Sequence, residues 1–364
     1  MTLLPRLKAK DSCRRDAVAL GEVMLRLDPG EGRIRTARQF QVWEGGGEYN
    51  VARGLAKTFG LRSAVVTALP RNDIGALVHE LILQGGVSDA HILWREADPV
   101  GRENRVGLNF TERGFGPRGA LGVSDRAHSA TSAMRRDEID WDHLFGSEGV
   151  RWLHTGGIFS ALSESTAETA LAAVTAARRH GTIVSYDLNY RASLWAAHPD
   201  PEAARRVNRA IAEQVDVLIG DEYSLAACLG IETPETRTDP CDPTPFAAAA
   251  ARLTDELPNL RLLASPLRDP VTASMNRWGA CAWADGALTV HAPVEVAILD
   301  RVGGGDGFVS GLAFGLMEGR PLEASLALGV AHGALAMTTP GDNAMTSLDE
   351  VEALARGDGA AARR

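Results

Sequence analysis

The chain has 364 residues with 38 basic and 47 acidic side chains, a formal charge of −9, which argues against nucleic acid or an anionic membrane as its main partner. Its 45% hydrophobic and 23% charged fractions are ordinary for a soluble globular protein, and the length suits one large α/β domain with an appendage. No apolar run approaches the roughly 20 residues needed to span a bilayer, the N-terminus lacks an apolar signal core, and Cys13, Cys228, Cys241 and Cys281 show no C-x-x-C spacing, so a cytoplasmic protein is expected.

In chain order, residues 1–15 read as a flexible tail. Residues 18–27 read as a buried first strand, interrupted by Gly21-Glu22 and closed by the turn cluster Asp28-Pro29-Gly30. Residues 33–43 alternate loosely, as a half-exposed strand does. Glu44-Gly45-Gly46-Gly47-Glu48-Tyr49-Asn50 then runs glycines into a helix start. Asn50 falls in the first turn, where its amide can donate to and accept from a polyhydroxyl ligand or simply belong to a capping region. Gly54-Leu55-Ala56-Lys57-Thr58 is not a Walker loop, because Ala56 precedes the lysine. A strand at 63–68, a helix at 74–85 and a strand near 91–94 follow. His79-Glu80 begins like a zinc motif, but Leu83 occupies the second ligand position. Residues 102–123 are rich in arginine and glycine, and Val106, Leu108 and Phe110 alternate with smaller or polar residues. They read as a second pair of exposed strands, forming a small separate sheet with 33–43. Arg126 follows; a solvated surface is the ordinary explanation for such arginines.

From residue 150 the order becomes strand, helix, strand, helix. A strand at 150–154 precedes a helix with the capping box Ser165-Thr166-Ala167-Glu168, ending at Gly181. The strand at 183–188 ends in Asp187-Leu188-Asn189-Tyr190-Arg191, at the carboxyl end where open parallel sheets bind ligands. Arg191 beside Asp187 also reads as an internal ion pair. A strand at 215–219 leads to Asp221, an N-cap for a helix to Leu229. A proline-rich loop (233–245), a strand (260–264) and three segments with an antiparallel look (271–275, 280–283, 288–296) come next. A helix at 322–337 and an unstructured tail over 356–364 complete the chain.

Between them lies Asp300-Arg301-Val302-Gly303-Gly304-Gly305-Asp306-Gly307-Phe308. Three glycines at a strand-to-helix junction leave backbone amides bare, and a helix N-terminus carries partial positive charge, so the junction suits a phosphate. Asp306 at the same end is either a helix N-cap or a carboxylate that takes the proton from a hydroxyl attacking phosphorus. Phe308 rules out the dinucleotide pattern counted from Gly303.

Asp300-x-x-Gly303-x-Gly305-Asp306-x-Phe308-x-x-Gly311 resembles the C-terminal signature of the ribokinase-like (PfkB) carbohydrate kinases, and Gly45-Gly46-Gly47-Glu48-x-Asn50-Val51-Ala52 resembles their N-terminal motif. Asp187-Leu188-Asn189-Tyr190-Arg191-x-x-Leu194-Trp195 and Gly21-Glu22-x-x-Leu25-Arg26-Leu27 resemble the 2-keto-3-deoxygluconate kinase branch. The resemblance implies an α/β fold of three layers, α/β/α, around a mostly parallel sheet. One kinase domain would span 16–350, with a small β-sheet lid from 33–43 and 104–126. It implies ATP and Mg2+ as cofactors and a sugar acid as substrate, with no nucleic acid or membrane partner. Asp306 would be the general base, Gly303, Gly304 and Gly305 the anion hole, Gly46 and Asn50 the sugar hydroxyl ligands, and Arg126 and Arg191 the carboxylate ligands. Arg268 and Asp221 stand on the nucleotide side, and association of copies through the lid is compatible with this plan. The chain departs from the branch at Asn109 and Ser124, where tyrosine is common, and at Ser224, which ends a motif usually closed by glutamate; the metal ligands are therefore left unassigned. A neutral-sugar or nucleoside kinase, and a non-catalytic sugar-acid or nucleotide sensor, are the competing readings.

Overall fold

The structure, a computed structural model, describes residues 3–196, 198–232 and 239–358. Strand β1 (Arg15–Leu20) lies in the main sheet, and β2 (Met24–Asp28) leaves it to pair with β3 (Gln41–Gly45). The run expected as one interrupted strand is therefore two strands in two sheets, and Gly21-Glu22 is the crossing point. After β3 come α1 (Gly47–Arg53), β4 (Ser63–Pro70), α2 (Asp73–Gln84) and β5 (Ser88–Arg95). Then β6 (Leu108–Glu112) and β7 (Leu121–Asp125) complete a small sheet in the order β3-β2-β6-β7.

The second half supplies β8 (Val150–Gly156), α3 (Gly157–Ser160), α4 (Glu164–Arg179), β9 (Ile183–Asp187), α5 (Ala192–Trp195), α6 (Ala203–Ala212), β10 (Val217–Ile219) and α7 (Glu222–Leu229). These are followed by α8 (Thr244–Glu256), β11 (Leu262–Thr272), β12 (Met275–Ala284), β13 (Ala287–Ala297), α9 (Gly304–Met317), α10 (Leu322–Ala336) and α11 (Leu348–Ala355). Among the described residues the main sheet has nine strands, ordered β13-β12-β11-β10-β9-β8-β1-β4-β5. Its strands are parallel from β11 to β5, while β11, β12 and β13 are antiparallel.

Both faces of the sheet are covered, so neighbouring residues on one strand enter different cores. Ala17, Trp152, Ile183, Val217 and Leu262 pack under α1, α9 and α10. Val18, Leu153, Val184, Leu218 and Leu263 pack under α4, α6, α7 and α8. A strand buried on both faces reads as continuous apolar text without alternation. Three local readings are corrected. The cap of α4 is Ser163, whose side chain accepts from Thr166 N, with Thr166 closing the box. Residues 1–15 are not loose where they are described: Leu4 is buried, Lys8 Nζ donates to Phe145 O and Thr182 Oγ1 at 3.2 Å each, and Arg6 pairs with Asp216. Residues 34–36 form a short helical turn, and strand β3 starts only at Gln41. Part of the proline-rich loop (233–238) and of the C-terminal tail (359–364) lies outside the described residues. No helix among the described residues is long and apolar enough to cross a membrane.

Candidate active site

The carboxyl ends of β9 and β10, the loop before α9 and the underside of the small sheet enclose a cavity of about 870 Å³. Gly46, Asn50, Arg126, Arg191, Asp221, Arg268, Gly303, Gly305 and Asp306 all line it. Gly304 does not; it is buried toward α10, and an added Cβ would sit 3.0 Å from Met337 Cγ.

The α9 end is built by its glycines. Gly303 is the N-cap at φ 81°, and an added Cβ would lie 1.9 Å from the carbonyl oxygen of Asp342. Only glycine accepts both that conformation and that approach. The first helical hydrogen bond runs from Gly307 N to Gly303 O (2.8 Å), so the amides of Gly304, Gly305 and Asp306 precede the ladder and suit an anion. Gly305 is exposed, with nothing within 4 Å of an added Cβ.

Asp306 is therefore the third residue of α9 and not its cap. Its Oδ2 accepts from Asn50 Nδ2 at 2.6 Å, across 256 residues of sequence. Asn50 is 6% exposed. The asparagine thus grips the aspartate through its amide nitrogen, while its Oδ1 has no partner and Asn50 lines the cavity. Gly46, at φ 153° and with an added Cβ 2.0 Å from Glu22 O, lets α1 start close enough for that grip. Burial raises the Asp306 pKa to about 6, against the opposing effects of Asn50 and Arg191.

Two neighbouring carboxyls share this environment, Asp187, read from sequence only as a partner of Arg191, and Glu48, which was given no role. Asp187 is raised to about 7 by burial and by the charge of Asp306, with Asn189 N (3.0 Å) and Arg191 opposing. Glu48 is 4% exposed and raised to about 8 by burial, then by Asp306 and Asp187, with Arg126 opposing. Glu48 lies over the ends of β1 and β8, its Oε2 2.3 Å from where a Gly21 Cβ would be and its Oε1 2.8 Å from that of Gly156. Its only signal in the sequence was its place inside a glycine motif. A folded-state pKa above the unfolded value favours folding at low pH, and that contribution is lost as pH rises through the folded pKa. Apo protein should therefore lose stability between about pH 5 and 8. Glu48→Gln should flatten the profile and raise Tm at pH 8, where its gain is on the order of a few kcal/mol. Thermal melts at pH 5 and 8 check this, and an unchanged slope would clear Glu48 of responsibility.

The arginines divide. Arg126 is not free, because Nε donates to Glu22 Oε2 at 2.9 Å and Nη2 makes a second, shorter bond to the same oxygen. Glu22 is 2% exposed and its Oε1 has no partner. Arg191 makes no ion pair among the described residues, Asp187 included; its one hydrogen bond goes to Tyr190 O (3.2 Å). Arg301, unassigned from sequence, lines the same wall as Arg268. Partial desolvation and then the like charge of Arg301 lower the Arg268 pKa. Asp221 caps α7 through Ser224 N (2.8 Å), and Glu222 and Ser224 share its stretch of wall.

The sequence model of the pfkB family of carbohydrate kinases matches residues 14–349. The chain belongs to this family. A 2-dehydro-3-deoxygalactonokinase of Haloferax volcanii is 32% identical over 94% of this chain and 97% of its own. The crystal structure of a 2-dehydro-3-deoxygluconokinase from Thermotoga maritima is 34% identical, covers 94% of this chain and 99% of its own, and superimposes with a TM-score of 0.85. A fructokinase from Xylella fastidiosa with bound ATP, 20% identical over 94% of this chain and 99% of its own, shares the fold at a TM-score of 0.71. The fold is thus ribokinase-like, and the protein is an ATP-dependent sugar kinase.

Proposed function

We propose that this carbohydrate kinase transfers the γ-phosphoryl group of ATP to the primary hydroxyl of a 2-keto-3-deoxy sugar acid. The observation that carries the reading is Asp306, held by Asn50 at 2.6 Å beside the open amides of α9, in one cavity with Arg191, which has no ion pair among the described residues. Asp306 takes the hydroxyl proton as the sugar oxygen bonds to phosphorus and the bond to ADP breaks. The α9 amides and Arg301 take up charge on the transferred phosphate, and Arg268 faces the nucleotide. Arg191, with Arg126 aimed by Glu22, binds the sugar carboxylate, for which guanidinium offers a bidentate match.

The wall fits Mg2+. No group of three or more His, Cys, Asp or Glu among the described residues is arranged to hold a metal, and Mg2+ characteristically takes one or two carboxylates with phosphate oxygens and water. Asp221 and Glu222 would hold it; when bound, the ion neutralises phosphate charge. We take 16–350 as one kinase unit with the small sheet as its lid. The outer lid face, where Val42 and Val123 are exposed, is the surface we assign to association of copies.

The lid refines the substrate. Asn109 and Ser124 are cross-strand partners, both line the cavity, and Ser124 Oγ donates to Asn109 Oδ1 at 3.4 Å. A polar pair in place of aromatic faces favours a hydroxyl that it can bond. We therefore expect the galactonate-configured acid, or another epimer, to be preferred over 2-keto-3-deoxygluconate, in keeping with the name of the Haloferax relative. The test is ADP formation with a panel of epimeric 2-keto-3-deoxy acids and neutral sugars. Asn109→Tyr with Ser124→Tyr should reverse the epimer preference. Turnover of fructose or ribose at the rate of the acids would sink the reading.

A further inference from the structure

Arg26 is fully buried on lid strand β2, and none of the steps above uses it. Its Nη2 donates to Asp300 Oδ2 at 2.6 Å and to Asp28 Oδ2 at 3.4 Å, and its Nη1 donates to Asp342 Oδ1 at 2.8 Å. Asp300 opens the loop that leads to α9. Its other oxygen accepts from Val302 N at 3.3 Å, and Oδ2 also accepts from Gly341 N at 3.2 Å. Asp342 lines the cavity. Its main-chain oxygen occupies the space over Gly303, and its Oδ2 lies 2.2 Å from where a Gly45 Cβ would be. One guanidinium thus joins the lid, the start of the anion loop, the loop after α10 and the entrance to the first glycine motif.

We propose that Arg26 is a positioning residue for phosphoryl transfer, which sets the Asp300–Gly305 loop against the lid so that the α9 amides face the γ-phosphate. The inference rests on the reading that α9 receives the transferred group. A planar fork can bridge two carboxylates in fixed directions, whereas an ammonium cannot. Displacing a catalytic group by about 1 Å can cost about 10²-fold in rate. Arg113 donates to Asp28 at 2.7 and 3.0 Å and its Nε stands 3.5 Å from Asp300 Oδ2, so Asp28 and, more weakly, Asp300 keep a cation when Arg26 is lost, and the loss falls most on Asp342.

The experiment uses the full chain with Arg26→Met and Arg26→Lys, and Arg113→Ala as the control within the same cluster. Calorimetry with ATP and with ADP needs no knowledge of the sugar, and its ratio reads the seat of the γ-phosphate. In the Arg26 variants the Kd for ATP should rise about tenfold while that for ADP stays within about twofold. On the best wild-type substrate, kcat should fall about 10–100-fold with sugar KM nearly unchanged. If Arg26→Met does not fold, Arg26→Lys decides: wild-type kcat and ATP/ADP ratio in a folded lysine variant overturn the proposal. Equal weakening of ATP and ADP, or equal losses in Arg113→Ala, likewise reduces Arg26 to a structural ion pair. Wild-type protein that binds ATP but phosphorylates no sugar acid removes the substrate reading and leaves the nucleotide comparison to judge Arg26. Wild-type protein that binds no ATP removes both.

Discussion

Asp306→Asn should bind ATP nearly as wild type does and turn over roughly 10²–10⁴ times more slowly, the usual contribution of a general base. Asparagine keeps the size of the side chain and can still accept from Asn50, so α9 keeps its start. It cannot take the hydroxyl proton. The wild-type pH profile supplies a second reading of the same group. Burial holds the Asp306 pKa up at about 6, and the base works only when deprotonated. The rate should therefore rise with pH through about 6 in wild-type protein and lose that limb in the variant. Asp187 and Glu48 titrate above it in the same cluster, so the limb belongs to a set of interacting carboxyls and will be broader than one group gives. Near-normal turnover in the asparagine variant would leave Asp306 as a helix residue and nothing more.

Arg191→Ala should raise the KM for sugar acids and lower kcat/KM by about 10- to 150-fold, the equivalent of roughly 1.5–3 kcal/mol for one charge-assisted contact. Neutral sugars should lose little. Arg191 is the cleaner of the two arginines to remove. It has no ion pair among the described residues, and its charge only helps to hold down the pKa of Asp306 and Asp187, an effect that the neutral sugars report separately. Arg126→Ala would leave Glu22, 2% exposed, without its cation, and the resulting loss of stability would mix with any loss of recognition. Steady-state kinetics on matched acid and neutral substrates checks the expectation. Equal losses for both kinds of substrate would assign Arg191 to the shape of the cavity.

The local signals in this chain were strong where they were covalent or conformational. Glycine runs at Gly45-Gly46-Gly47 and Gly303-Gly304-Gly305, a carboxylate placed against a helix start, and arginines beyond strand ends could each be read from residue type and spacing. So could the strand–helix order from residue 150 and the N-cap at Asp221. Together with the family resemblance they placed nearly every candidate side chain on one cavity, Gly304 excepted. What one sequence does not contain is the pairing of residues far apart in it. Residues 18–27 read as one strand because both halves are apolar, and only the sheet shows β1 and β2 parting company. Asn50 read as a ligand or part of a capping region, and nothing local pointed to its contact with Asp306, 256 residues away. Arg126 read as a free ligand, since nothing local marks Glu22 as its partner, and Glu48 looked like an ordinary charged residue in a helix. Charge type is local, but desolvation and ion pairing depend on what the rest of the chain brings to within a few ångströms. Residue type, spacing and the family resemblance named most of the groups on the cavity wall; which of them remain free to meet a substrate follows from the folded packing, because packing alone assigns each buried charge its partner.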